Sequence, residues 1–210
     1  MQARKPALVI LAAGESRRLG QCKALVRITP RNPLELLASA GASFDDVPPL
    51  VVSGADHDRI AASLPPGLDL VFNAQWSSSR SAGVRAAARA RPDRDLCIAP
   101  VDVPLVPSEV FEALLAAWLA RGSPSRGWLA PSLAPVLATA DASEKNSYGH
   151  PIVIGRALPA ILGELPEDAP LSALRRRADP VFSVSVASRA ILDDLDTPAD
   201  LARLRARGAI

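Results

Sequence analysis

Short apolar runs, each closed by Gly, Pro, Ser or Asp, alternate along this chain with stretches of helical period. Ala7 to Leu11 is continuously apolar and long enough for one buried strand. Leu50 to Ser53, Leu68 to Asn73 and Leu96 to Val101 repeat that pattern. Between them, Leu34 to Ala40, His57 to Leu64 and Val84 to Arg91 read as helices, stopped by Gly41, Pro65-Pro66-Gly67 and Pro92-Asp93. Glu109 to Arg121 carries apolar residues at positions 110, 111, 114, 115 and 118, a helical stripe, with Ser108 as its expected N-cap.

The second half is less regular. Trp128 to Ala130 and Ile152 to Ile154 are strand-like, and Val181 to Val186 alternates as a half-buried strand does. Leu158 to Leu165 and Leu171 to Arg177 read as helices. Ile191 to Asp196 reads as a short strand, before a last helix opened by Thr197 with Pro198 at its first position. Ser132 to Tyr148 has little periodicity and is expected to be a flexible excursion, and Trp76 to Gly83 a Ser-rich loop.

Strands alternating with helices predict an α/β fold, a mainly parallel sheet covered on both faces in three layers. Ligands of such sheets bind beyond the C-terminal ends of the strands. The loops holding Gly14, Ser53, Asn73 and Asp102 each follow a predicted strand, so they are expected to share one edge. With neither repeat nor linker, residues 1–210 are read as a single domain.

Composition narrows the classes. The net charge of +2 comes without any block of like charges, which argues against a nucleic-acid surface. No apolar stretch approaches a membrane span, and the N-terminal run is short for a secretory signal. Cys22 and Cys97 are far apart and fit neither a metal motif nor a disulfide framework, so a reducing cytoplasm is the simplest compartment.

The candidate chemistry begins after the first strand. Leu11-Ala12-Ala13-Gly14 leads into a loop with Arg17, Arg18 and Lys23. Gly14 permits positive φ and close approach of a ligand, and the cations would neutralise phosphate, Arg18 as a planar fork and Lys23 as a point charge. This is neither a Walker A nor a GxGxxG pattern. Asp102 ends a buried strand, and a carboxylate at a sheet edge near phosphates suits Mg²⁺. Asp194 and Asp196, two apart, would share a strand face. Asp196 equally fits a turn or cap ahead of Thr197-Pro198. Ser53 and Asn73 fit either a ligand site or an ordinary turn, and His150, beside Gly149 and Pro151, either a substrate contact or a structural turn. Cys22 reads as incidental, Cys97 as core, and His57 as a first-turn residue without a role.

LAAGESRRLGQCKAL (11–25) resembles the LAAGxSxRxGxxK opening of the MobA-like nucleotidyltransferases. In the family's order follow Asn73-Ala74-Gln75-Trp76 with Ser81, Pro100-Val101-Asp102-Val103-Pro104, Gly149-His150-Pro151-Ile152-Val153 and Asp194-Leu195-Asp196-Thr197-Pro198-Ala199-Asp200-Leu201. The resemblance implies a Rossmann-like nucleotidyltransferase fold and transfer of a nucleotide from an NTP to a phosphorylated acceptor, with molybdopterin as that acceptor and pyrophosphate released. The LAAG and GHP segments resemble the cytidylyl branch, which favours CTP over GTP. Catalytic roles fall to Arg18, Lys23 and Asp102. The nucleotide would meet Leu11, Ala12, Ala13, Gly14, Ser53, Asn73 and Ser81 as well. Mg²⁺ would sit on Asp102 with Asp196 or Asp194, and His150 on the acceptor side. A molybdoenzyme or its maturation chaperone is an implied partner. The alternatives are another phosphorylated metabolite as acceptor, or a nucleotide-binding module without catalysis. Ser79, Arg80 and Glu167-Asp168-Ala169-Pro170 depart from the family pattern.

Overall fold

A computed structural model of the chain describes residues 4–78, 81–133, 148–166 and 169–208. Its sheet has seven strands. β1 is Ala7–Ala12, β2 Leu50–Ser53, β3 Asp69–Phe72, β4 Leu96–Pro100, β5 Trp128–Leu133, β6 Ile152–Ile154 and β7 Val181–Val186. The order is β3-β2-β1-β4-β6-β5-β7. β1 pairs in parallel with β2 and β4, β2 with β3, and β5 with β7. Only β6 runs against its neighbours, with Ile98 opposite Ile152. The sheet is therefore mainly parallel, as the alternation of elements implies.

Period-two alternation in β1 sends its side chains into two cores. Leu8 and Ile10 pack with α1 (Pro33–Ala40), α2 (His57–Ala62) and α4 (Ser108–Ala120) through Leu34, Leu37, Ile60, Phe111, Leu114 and Trp118. Ala7 and Val9 face α3 (Ala82–Ala90), α5 (Leu158–Ile161) and α6 (Leu171–Arg175) through Val84, Ala87, Leu158 and Leu174. A third cluster matters most for the site. Leu19, Val26 and Ile28 of the first loop pack with Leu195 and with Leu201 and Leu204 of α7 (Pro198–Gly208). The chain's last helix thus clamps the loop that follows its first strand.

Local chemistry explains most helix starts. Asn32 and Glu35 form a reciprocal capping box at α1, with Pro33 at its first position. Thr197 and Asp200 cap α7 in the same way, and the Asp200 carboxyl also accepts from the Asp196 N–H. Several expectations need correcting. Ser108 lies inside α4; Pro107 occupies the cap position and no side chain caps that helix. Ile191 to Asp196 is not a strand. Arg189–Leu192 forms a 3₁₀ turn started by Ser188, whose hydroxyl accepts from Ala190 N–H, and the chain then runs irregularly. Two isolated bonds, Leu195 N–H to Asp102 C=O at 2.7 Å and His150 N–H to Ile191 C=O at 3.0 Å, tie this segment to the sheet edge where a strand would make a ladder. α5 and α6 are short pieces, and α3 begins at Ala82 rather than Val84, taking Gly83 into its first turn. Most of the stretch expected to be a flexible excursion, together with Ser79, Arg80, Glu167 and Asp168, lies outside the described residues.

Candidate active site

The C-terminal ends of β1, β2, β3 and β4 lie side by side by virtue of their parallel registers. Beyond them opens a cleft of about 400 Å³, lined by Leu11, Ala12, Ala13, Gly14, Lys23, Asn73 and Asp102, with Ser16, Cys22, Trp76 and Gly83. Seven of the residues expected to form a nucleotide site thus line one space.

The loop between β1 and α1 is shaped differently from expectation. Gly14 is outside the left-handed region. Ser16 (φ 55°) and Gly20 (φ 73°) carry the positive φ instead. A Cβ on Gly14 would meet nothing within 4 Å, so the backbone there borders open space. Ser16 organises the turn: its C=O accepts from Leu19 and Gly20 N–H, and its hydroxyl from Lys23 N–H. The next loop is pressed against this one. Ala55 N–H donates to Ala13 C=O at 3.1 Å, and a Cβ on Gly54 would stand 2.3 Å from Ala13 O and 2.6 Å from Trp76 Cβ. Gly54, Ser16 and Trp76 are site-forming residues without an assigned role in the sequence reading. Small residues directly after a buried strand were the signal for Gly54.

The charged groups form a closed array. Lys23 Nζ lies 2.6 Å from Asp196 Oδ1 and 3.1 Å from Asp102 Oδ1, and Arg18 reaches Asp196 Oδ2 at 2.8 Å. The Lys23 side chain is only 12% exposed, whereas that of Arg18 is 71% exposed. The hydrogen bond from Lys23, the Lys23 charge and the Arg18 guanidinium hold the Asp196 carboxyl below the usual carboxylate range. Asp194 stands apart. No ion pair joins it to Lys23 or Arg18 among the described residues, and burial with the charges of Asp196 and Asp102 pushes its carboxyl up. The excess of carboxylate over cation is therefore felt at Asp194, while Asp196 is the one engaged.

Among the described residues no group of three or more His, Cys, Asp or Glu forms a metal cage. Asp102 and Asp196 present hard oxygen donors on either side of one ammonium nitrogen. Two carboxylates completed by phosphate oxygens and water are the donor set that Mg²⁺ and similar cations favour. The residues fit such an ion.

The remaining candidates are placed less directly. Ser53 is fully buried, and its hydroxyl pairs with His57 Nδ1 at 2.7 Å and with Val71 C=O. It is not among the residues lining the cleft, and His57, its ring tilted against that of Phe72 with centroids 4.7 Å apart, braces it. Asn73 is buried and its Oδ1 accepts from Gln75 N–H, shaping the turn that carries Trp76. Ser81 is buried at the start of α3, next to Gly83. Burial, then the Asp56 charge, pushes the Cys22 thiol up; a neutral thiol is no nucleophile. Burial does the same to Cys97 in the core. His150 lines a second cavity rather than the cleft. Burial pushes its imidazole down, and the Asp102 charge opposes this by less.

The MobA-like NTP transferase domain matches residues 8–181. The chain belongs to that family. Its fold is that of solved relatives. A crystal structure of an Rv0371c homolog from Mycobacterium sp. strain JC1 is 25% identical with a TM-score of 0.71, covering 97% of this chain and 96% of that one. Molybdopterin-guanine dinucleotide biosynthesis protein A from Archaeoglobus fulgidus is 17% identical with a TM-score of 0.72, over 97% and 98%. Rv0371c of Mycobacterium tuberculosis, solved in complex with manganese, is 22% identical with a TM-score of 0.70, over 96% and 98%. No curated protein matches the chain significantly. Within the family fold, the cleft stands where the first strand meets its cationic loop. No helix among the described residues is long and apolar enough to cross a membrane.

Proposed function

We propose that the chain transfers a nucleotidyl group from an NTP, with CTP preferred, to the phosphate of molybdopterin, releasing pyrophosphate. One observation carries this reading. Lys23, Arg18, Asp102 and Asp196 form a joined cation–carboxylate array at the rim of a cleft whose other lining is small residues together with Leu11, Asn73 and Trp76. Such an array exchanges partners readily. Triphosphate oxygens would take over Lys23 and Arg18, and the released Asp102 and Asp196 carboxylates would then be free to hold a divalent cation. The manganese in the Rv0371c complex, a structure of the same fold, agrees with such an ion, and Mg²⁺ is the ion proposed for this chain. Asp102 and Asp196 would hold that ion, whose chemistry there would be to supply positive charge near the α-phosphate.

The chain's own part is to bring two anions together and offset their charge. Lys23 and Arg18 hold the departing β- and γ-phosphates. Gly14 leaves room for the backbone to meet the nucleotide, and Trp76, packed on Gly54 and carried by the Asn73 turn, lines the same cleft. An acceptor phosphate oxygen forms the new bond to the α-phosphorus as the α–β bridging bond breaks and its electron pair leaves on pyrophosphate. The acceptor phosphate is already ionised, so no general base is needed. The preference for CTP rests on the resemblance of the LAAG and GHP segments to the cytidylyl branch.

Pyrophosphate release, measured with each NTP in the presence of molybdopterin and Mg²⁺, tests this reading. Release with CTP above GTP is expected. Nucleotide binding with no release for any NTP would leave only a nucleotide-binding module.

A further inference from the structure

We infer that the outer edge of β7, with the α4 face beside it, docks a second copy of this chain, the two β7 strands pairing antiparallel about a twofold axis. This interface is independent of the nucleotide chemistry.

Three observations support it. The first is an open ladder. β7 ends the sheet and pairs only with β5 among the described residues. Trp128 N–H donates to Pro180 C=O at 2.9 Å. Alternate residues of a parallel strand bond to any one neighbour, so Phe182, Val184 and Val186 turn their backbone groups to β5. Those of Val181, Ser183 and Ser185 face outward. The strand is uncharged over its whole length, VFSVSV, with neither Lys nor Pro to blunt the edge. The opposite edge is built differently. β3 is shorter and opens on Asp69, which is paired with Arg91. One edge is guarded by size and charge, and the other is left fit for pairing.

The second is charge. α4 packs on β7, with the Trp118 and Phe182 rings stacked at 5.9 Å. Positions 109, 113, 117 and 121 recur every four residues and share one face of that helix. They are Glu109, Ala113, Ala117 and Arg121. Both ends of this stripe are placed against β7. Arg121 stands over the Phe182 ring, 4.4 Å from its centroid, while Glu109 and Ala113 border a groove with Ser185 and Val186. α4 therefore runs opposite to β7. Neither Glu109 nor Arg121 forms an ion pair among the described residues. A twofold axis at Ser183 sets Val181 across from Ser185 of the second copy, so the outward backbone groups satisfy one another. The same axis sets Arg121 of each copy at the Glu109 end of the other, and the two alanines between them allow close approach.

The third is the groove itself, about 500 Å³ between the start of α4 and the end of β7. Pro107, Val110, Ala113 and Val186 wall it, with the Glu109 carboxylate beside them. Apolar walls and one carboxylate suit an arginine, whose stem lies along the walls while its guanidinium meets the acid. Arg121 of the second copy is exposed and reaches this place. The cleft after β1 and β4 lies across the sheet from β7 and stays open in such a dimer.

Sedimentation equilibrium of the full chain over a range of concentrations tests the interface. The wild type is expected to form dimers. Glu109→Arg and Arg121→Glu should each weaken the dimer at least about tenfold, and so should Ser183→Lys, which sets like charges face to face on the axis. An equimolar mixture of Glu109→Arg with Arg121→Glu should regain the dimer, because both contacts across the axis then join opposite charges. Circular dichroism and thermal melting of each variant should match the wild type, since all three positions are exposed. A wild type that stays monomeric up to about 1 mM, single variants that dimerise as tightly as the wild type, or a mixture that stays monomeric would overturn the inference.

Discussion

The two spaces along the sheet edge are built on opposite plans. In the cleft after β1 and β4, the cations and carboxylates are already joined to one another: Lys23 to Asp102 and Asp196, Arg18 to Asp196. In the cavity beside β6, the floor is apolar and His150 Nδ1 has no hydrogen-bond partner among the described residues. Charges paired at rest suit a ligand that is mostly charge and binds by partner exchange. An apolar floor offers no charge for such an exchange. On the proposed function, the parallel half of the sheet is the part that meets phosphates.

Four substitutions test this contrast, taken from the largest effect to the smallest. Asp102→Asn should lower kcat/KM by about 10³-fold, since it removes charge from the reacting centre. Its thermal midpoint should stay close to wild type because the side chain is half exposed. Pyrophosphate assays with parallel calorimetry measure both; undiminished turnover would remove Asp102 from the reaction. Gly54→Ala should destabilise by about 1–3 kcal/mol, because its Cβ would collide with Ala13 O and Trp76 Cβ. It should also weaken CTP binding about tenfold, as it distorts the cleft. Undiminished CTP affinity would show that the contact between Gly54 and Ala13 does not shape the site.

Trp118→Phe serves as the control remote from both spaces. Buried Asp95 accepts from Trp118 Nε1, from the Arg156 N–H and from the Arg156 guanidinium. Removing the indole donor should cost about 1–3 kcal/mol, read by urea unfolding, with CTP affinity unchanged. The smallest effect is a pH dependence. Burial holds the folded His150 pKa below its ordinary value of 6.5. Its contribution is therefore fully present above pH 6.5 and is lost as pH falls towards the folded value. His150→Asn should lose less stability than wild type between pH 7 and pH 5. Equal pH slopes would mean the ring is open to water.

How far the sequence already contained this picture differs between the two halves. Apolar runs bounded by Gly and Pro mark β1, β2 and β4 well, because each is a buried strand with a single reading, and the shorter Leu-Val-Phe run marks β3, the half-exposed edge strand beside them. Their C-terminal ends carry Gly14, Asn73 and Asp102, so one edge of residues could be assembled from topology alone. The 191–196 segment misleads because Leu195 is buried like a strand residue, yet the packing of Leu195 against α7 and Leu19 is what fixes it. That tertiary contact also brings Asp196 to Lys23, residues 173 positions apart, and no local pattern reports it. Ser53 and His57 show the converse. Each looks available in sequence, and the fold spends both on each other. The second cavity was visible only as His150. Arg175 and Trp128 come to it from separate elements, and a basic end on a short helix reads locally as dipole compensation.

The central claim is that the paired array grips the triphosphate. It is tested most directly by comparing the affinities for CTP and CMP in the wild type and in an Arg18→Ala/Lys23→Met double variant, by calorimetry with Mg²⁺ present. The wild type should prefer CTP by at least about thirtyfold, and the double variant should lose most of that preference while binding CMP nearly as before. A double variant that keeps the full preference for CTP would show that the phosphates are held elsewhere.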